Sequence, residues 1–249
     1  MGLSVLLPVA AGAILLALTY RHPQARARLR RRPAGDLLLD GSGLLVQGIL
    51  VPILAASVLG AALGHLLPGW RGRLALPGGL AFLVSFVAVD YAYYWNHRLL
   101  HEARLFRWHA VHHTAEALDV LPTSRNALLA HGLVLYVWVQ ALGIYLLAEP
   151  AGFLLGAAAT AALDLWRHSG LRPGGWAGRL LAAVLITPVD HAWHHSRGRP
   201  DVNFGANLAL WDRLHGTYHR AEAPPAELGL AMPPGLLRRL LLPPRPVPA

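Results

Sequence analysis

Apolar positions in this chain gather into long uninterrupted runs instead of recurring at the spacing of an amphipathic surface helix. Five of these runs reach or approach the roughly 20 residues that a bilayer-spanning helix needs. They are Leu3 to Tyr20, Gly43 to Leu67, Leu74 to Trp95, Ala127 to Ala148 and Pro150 to Trp166. The pattern predicts an all-α integral membrane helical bundle of about four to five spans. Polar residues concentrate from Asn96 to Asn126, a helix-compatible stretch, and from Arg167 onward. The run Trp176 to Ile186 is apolar but short for a span, which predicts a helix lying at the interface.

Charge orients the bundle. No basic segment precedes the first run, whereas Arg21, Arg26, Arg28, Arg30, Arg31 and Arg32 follow it, so it reads as an anchor and not as a signal peptide. The positive-inside rule assigns that cluster to the cytoplasm. Counting crossings from there brings Trp95 and His97 out on the cytoplasmic side, and a hairpin around Glu149 and Pro150 returns Trp166 and His168 to the same face. The expectation is a cytoplasmic helical cap on the bundle. The end of the chain, with prolines at 233, 234, 243, 244, 246 and 248, reads as a surface-lying tail.

Composition agrees with a membrane location: 55% hydrophobic, 14% charged, mean hydropathy +0.41. The net charge of +9 comes from basic residues scattered between apolar runs, a pattern of topology and not of nucleic-acid binding. All 22 basic residues are arginine. With the heavy use of Ala, Leu, Gly and Pro this suggests a GC-rich bacterial genome, and hence an inner membrane. The chain has no cysteine, which excludes disulfides, thiolate metal sites and iron–sulfur clusters and leaves nitrogen and oxygen groups to carry any chemistry.

Fourteen histidines remain, and they cluster. His97 and His101 form HxxxH at the end of the third run, a spacing that sets two imidazoles on one helical face. His109, His112 and His113 form HxxHH, and His191, His194 and His195 repeat it. His168 stands alone after the fifth run. These nine are too many for one ion and suit two; imidazole as a ligand type leaves Fe, Zn, Cu and Ni open. His131, about one turn inside the fourth run, is a further candidate as an ionisable group within a span. His22, His65, His215 and His219 read as structural or surface residues. Ligating imidazoles usually donate their second N–H to a carboxylate or carbonyl, which makes Asp90, Asp190 and Asp212 candidate orienting acids.

The stretch DYAYYWNHRLLH at 90–101, WHAVHH at 108–113, His168-Ser169-Gly170, HAWHH at 191–195, Asn203-Phe204-Gly205 and LWDRLHGT at 210–217 together resemble the fatty acid hydroxylase and sterol desaturase superfamily of integral membrane non-haem di-iron enzymes. The resemblance runs from about Phe82 to Arg220. It implies an N-terminal membrane anchor region over 1–80, a hydroxylase-like catalytic domain over 81–220 and a Pro-rich tail over 221–249. It also implies that the nine clustered histidines hold two Fe ions. Many bacterial relatives carry a histidine two residues after the position of Arg125, where this chain has Ala127, and His131 is the replacement offered here.

The implied reaction is O2-dependent hydroxylation or desaturation of a fatty-acyl, sterol-like or other long-chain lipid. With no Rossmann fingerprint or haem module in the chain, electrons would come from a separate carrier or reductase. Two other classes compete. A metal transporter would place its ligands near the midplane on broken helices. A membrane zinc hydrolase would carry a glutamate base within its motif, as HExxH does.

Overall fold

The computed structural model describes residues 2–198, 201–233 and 235–245, and within them every regular element is a helix; pairing of extended backbone is limited to isolated bridges such as Leu74 with Leu147. In chain order these are α1 (Gly2–Tyr20), α2 (Pro23–Arg31), α3 (Ala34–Leu66), α4 (78–100), α5 (Phe106–His109), α6 (Ala130–Leu133), α7 (Leu135–Leu146), α8 (Ala151–Arg167), α9 (Gly175–Val184), α10 (Pro188–His194), α11 (Ala209–Leu214) and α12 (Leu236–Leu241).

By length and composition α1, of 19 residues, and α3, of 33, could cross a membrane. Their outward faces carry exposed Leu3, Leu6, Val9, Ile49, Ile53 and Val58, apolar surface of the kind that lipid covers. α3 begins nine residues before the apolar run and includes Pro52, which has no N–H to give the preceding turn. The helix widens to π-turns over Val46–Leu50 and Ala55–Leu59 on either side of it.

α8 lies between α1 and α4, while α7 packs against α3, α4 and α8. Small residues make the α8–α4 approach possible. A Cβ at Gly152 would stand 2.1 Å from the Gly78 carbonyl oxygen, and one at Gly156 would stand 2.7 Å from Ser85 Cβ. Such seams allow helix backbones to close on each other where no hydrophobic drive separates protein from lipid.

The fourth apolar run is not one helix. Val134 is extended at φ −80°, ψ 123°, and divides α6 from the 12-residue α7. Asn96 satisfies the break, donating from Nδ2 to the Leu133 carbonyl at 3.1 Å and accepting from the Leu135 N–H at 3.2 Å. The polar stretch after α4 is likewise mostly turns, with one short helix (α5) and 3-10 turns at His112–Thr114 and Leu121–Ser124. The apolar segment after residue 174 does form a helix, α9, with no buried residue.

The described part of the tail does not lie loose on the surface. Leu230 donates its N–H to the His113 carbonyl at 2.7 Å, Gly229 donates to the His195 carbonyl at 3.3 Å, and Met232 joins a core with Leu39, Ala110, Val111 and Ala127. Residues 234 and 246–249, which include Pro234, Pro246 and Pro248 of the proline-rich end, lie outside the described residues.

Candidate metal centre

Four helices and one turn deliver the histidines to a common place. His97 sits in the last turn of α4, with His101 just beyond it, and His168 follows α8 directly. His109 closes α5, and His112 and His113 sit on the 3-10 turn that follows. α10 starts on a capping box, in which the Thr187 hydroxyl accepts from the Asp190 N–H and the Asp190 carboxylate accepts from the Thr187 N–H. Two orphan donors of the first turn are thereby satisfied, and His191, His194 and His195 project from the short helix so fixed.

The nine imidazoles divide into two groups. His97, His101, His109, His113 and His194 form one; His112, His168, His191 and His195 form the other, and within each group one ligating atom per residue lies within 4.8 Å of all the rest. Residues four apart stay together, as in His97 with His101, His109 with His113 and His191 with His195. The histidine at the third spacing crosses over. Each HxxHH therefore feeds both groups, although spacings of three and four on a regular helix point to one side.

Hydrogen bonding fixes which nitrogens face inward. His97 Nδ1 reaches the Phe204 carbonyl at 2.8 Å, His112 Nδ1 the Arg125 carbonyl at 3.3 Å, His168 Nδ1 the Asp164 carbonyl at 2.8 Å and His194 Nδ1 the Val202 carbonyl at 2.7 Å. A carbonyl only accepts, so each Nδ1 carries the proton and each Nε2 of a neutral ring presents a lone pair. Yet His168 Nε2 and His112 Nε2 stand 3.3 Å apart, and neither has a proton to share. The same small ring contains His191–His168 at 2.9 Å, His195–His112 at 3.1 Å and His195–His191 at 3.1 Å, all between Nε2 atoms.

Facing lone pairs repel unless a cation lies between them. Nitrogens bound at about 2.1 Å to one ion, at right angles, stand about 3.0 Å apart, close to the separations in this ring. The other group has the same character: His97 Nε2 faces His109 Nε2 at 2.9 Å, and the buried His101 Nε2, His194 Nε2 and both His113 nitrogens have no hydrogen-bond partner among the described residues. The donor set fits two divalent transition-metal ions.

Electrostatics agree with that fit. Burial, reinforced by neighbouring imidazoles, holds the basicity of His109, His113, His191, His194 and His195 well below the ordinary value, and burial followed by His168 brings His112 down to about 3. Neutral imidazole is the ligand form. In the metal-free protein these rings stay unprotonated while the unfolded chain takes up protons below about pH 6.5. Stability of metal-stripped protein is therefore expected to fall as pH drops below 6.5, with the His112 share lost by about pH 3. Thermal unfolding across that window tests it, and a flat profile would count against neutral buried rings.

The three acids expected near the ligands act one step away from them. Asp212 accepts from the Phe204 and Gly205 N–H groups, both at 2.7 Å, and from the Thr217 hydroxyl at 2.7 Å. Asp90 accepts from the Asn207 N–H at 2.8 Å, the Leu208 N–H at 3.0 Å and Trp211 Nε1 at 2.8 Å. Asp190 caps α10. None has a hydrogen bond to a ring of either group, because buried backbone donors already occupy these carboxylates. Their effect is to pin the 203–212 loop, which aims the Phe204 carbonyl at His97.

His131 also lies outside both groups. Its Nδ1 meets Gln47 Oε1 at 2.9 Å, a partner on α3. The structure does not bring it into either group in place of a ligand at Ala127, which is itself buried against Leu39, Ala110 and Val111, and its Nε2 is buried with no hydrogen-bond partner among the described residues. His215 is likewise apart, stacked 5.1 Å from Tyr94, and His219 packs at 4.6 Å on Trp193.

Two carboxylates that do approach the rings had drawn no attention in the sequence. Asp201 Oδ1 is 3.2 Å from His101 Nδ1, and Asp164 Oδ1 is 3.4 Å from His168 Nδ1 while also pairing with Arg167. The four-residue spacing from Asp164 to His168 was the available signal. A buried charge network was missed as well. Asp40 binds Arg32 at 2.9 Å and Arg125 at 2.6 Å, and Arg32 also reaches Asp119 at 2.5 Å. The Arg125 carbonyl is the acceptor for His112, so this network is part of the site's frame, and Arg32 belongs to it and not to a solvated basic loop.

A cavity of about 60 Å³ adjoins the histidines, walled by His97 and His109 of one group, by His112, His168 and His191 of the other, and by Gln47, Tyr93, Asn126, Tyr136 and Arg167.

Comparison with known proteins completes the picture. The sequence model of the Fatty acid hydroxylase family matches residues 82–217. Ornithine lipid hydroxylase OlsE of Rhizobium tropici is 31% identical over 183 residues, covering 71% of this chain and 53% of that protein. Alkylglycerol monooxygenase of Homo sapiens is 29% identical over 157 residues, covering 60% of this chain and 33% of that protein. The chain thus spans about half the length of the first of these relatives and about a third of the second. No solved structure matches. A family match that runs over more than half of the chain and takes in all nine clustered histidines makes this protein a member of the fatty acid hydroxylase family.

Proposed function

We propose that the protein uses O2 to oxidise a C–H bond of a membrane lipid at two irons held by its nine clustered histidines. The observation that carries this reading is the pair of imidazole groups whose lone pairs converge with no proton between them. Lipid as substrate is supported by the relatives, one named for hydroxylating ornithine lipid and another for monooxygenation of alkylglycerol. Hydroxylation is preferred over desaturation on the same names.

Two redox-active irons would supply the activation of O2 that an unactivated C–H bond requires; zinc has no redox chemistry to offer. The protein's own contribution is placement. Carbonyls at Phe204, Arg125, Asp164 and Val202 fix the tautomers and ring orientations of four ligands. Burial keeps the rings neutral, and the adjoining cavity places a bound molecule against both groups. In hydroxylation one oxygen atom enters the C–H bond and the other leaves as water, with two protons and two electrons. A separate reductase or electron carrier supplies the electrons. The arrangement is read as four to five spans in a bacterial inner membrane, with the histidines facing the cytoplasm and the carrier.

Purified protein is expected to hold about two irons per chain, the number for which the two groups are built. Elemental analysis after anaerobic reconstitution checks this, and stoichiometric zinc with no iron would overturn the oxygenase reading. A zinc hydrolase is disfavoured by the motifs, since none of the histidine boxes carries the glutamate base of HExxH.

A further inference from the structure

The cavity beside the histidines holds donors that the fold does not use. Arg167 is 4% exposed, and although its Nη2 pairs with Asp164, Nε and Nη1 have no hydrogen-bond partner among the described residues. The Tyr136 hydroxyl, on α7, is buried and equally without a partner. Its ring is held by stacking on Tyr93 with centroids 4.7 Å apart. Both side chains line the same cavity as five of the clustered imidazoles. A desolvated donor left unsatisfied costs about 1–3 kcal/mol, so three together mark a place where an outside acceptor belongs.

Resting on the reading of the site as a lipid oxygenase, we propose that Arg167 and Tyr136 are positioning residues that grip a neutral acceptor oxygen of the lipid. The C–H bond presented to the histidines then lies within a carbon or two of that oxygen. Size is compatible with this: about 60 Å³ accommodates a few water-sized groups, enough for a carbonyl or hydroxyl and its neighbouring carbon. Charge supports it too. Asp164 already neutralises Arg167, and a carboxylate or phosphate entering the cavity would meet the Asp164 carboxylate, which also lines it. An ester, amide or hydroxyl oxygen accepts the free N–H and O–H donors without that repulsion.

The test uses the full iron-loaded chain in detergent micelles, with methyl palmitate, palmitate and hexadecane as probes and quenching of intrinsic tryptophan fluorescence as the binding signal. Wild-type protein is expected to bind methyl palmitate at least about tenfold more tightly than hexadecane, the equivalent of one strong hydrogen bond, and more tightly than palmitate. Tyr136→Phe removes a hydroxyl with no partner in the fold, so its melting temperature is expected to equal or exceed that of the wild type. Its preference for the ester over the alkane is expected to fall at least about threefold, and the position of oxidation to spread along the chain. Arg167→Lys keeps the charge facing Asp164 but not the guanidinium donors, and should lose preference in the same direction. An unchanged ester-to-alkane ratio in Tyr136→Phe would overturn the proposal, as would a lowered melting temperature with the ratio intact, which would make the hydroxyl structural. An intact ratio in wild type without oxidation of any lipid would instead remove the oxygenase reading and leave the acceptor grip standing.

Discussion

Alanine at His112 or at His194 is expected to abolish lipid oxidation. The two residues come from different groups, His112 from the set of four and His194 from the set of five. Each loses an inward-facing Nε2, and no spare donor belongs to either group, since the chain has no thiol and His131 is in neither. Removing a partner that merely orients a ligand typically costs about 10–100-fold. Removing the ligand itself is expected to cost more than about a hundredfold in turnover, together with a loss of bound metal measurable without any substrate. Insertion should survive, because neither side chain belongs to the apolar face of the bundle. Retained turnover in both variants would show that the chemistry lies elsewhere.

The largest effect on stability is expected from Asp40→Ala. Asp40 and Arg125 are each 2% exposed at the side chain, and their 2.6 Å contact is joined by Arg32. Removing one partner of a buried pair leaves an uncompensated charge and typically costs about 3–5 kcal/mol. Arg125 retains a weaker approach to Asp36 at 3.7 Å, so the lower end applies. At about 2–4 °C per kcal/mol for a chain of this size, the apparent melting temperature should drop by roughly 6–12 °C. Because the Arg125 carbonyl orients His112, metal affinity should fall in parallel. A change of under about 2 °C would mean that the network is not holding the frame.

The sequence carried much of this arrangement, and the failures have physical reasons. α1 is legible almost to the residue, because nothing interrupts an apolar run of that length. The break at Val134 is not legible, because its backbone groups are satisfied by Asn96, distant in sequence and supplied by another helix. Box spacing named the nine clustered imidazoles but not their division, since a helical period gives a direction only while the chain stays helical, and His112 and His113 lie on a 3-10 turn. Asp90 and Asp212 were read as acids that orient the imidazoles, whereas their partners include backbone N–H groups of a loop whose path no periodicity encodes. Asp40 sat within an apolar stretch, and its partner Arg125 is 85 residues away. Long-range pairing of that kind is decided by packing, not by local pattern.

On the proposed two-ion reading, the crossing-over of the histidine boxes would make the ion positions a single thermodynamic unit. An ion in the group of five draws in His113 and His194, and the peptide units that carry them also carry His112, His191 and His195 of the other group. Filling one position would then pre-order the second, and by reciprocity emptying one would loosen its neighbour. Limited iron should accordingly sort the population into molecules carrying both ions and molecules carrying none, with few holding one.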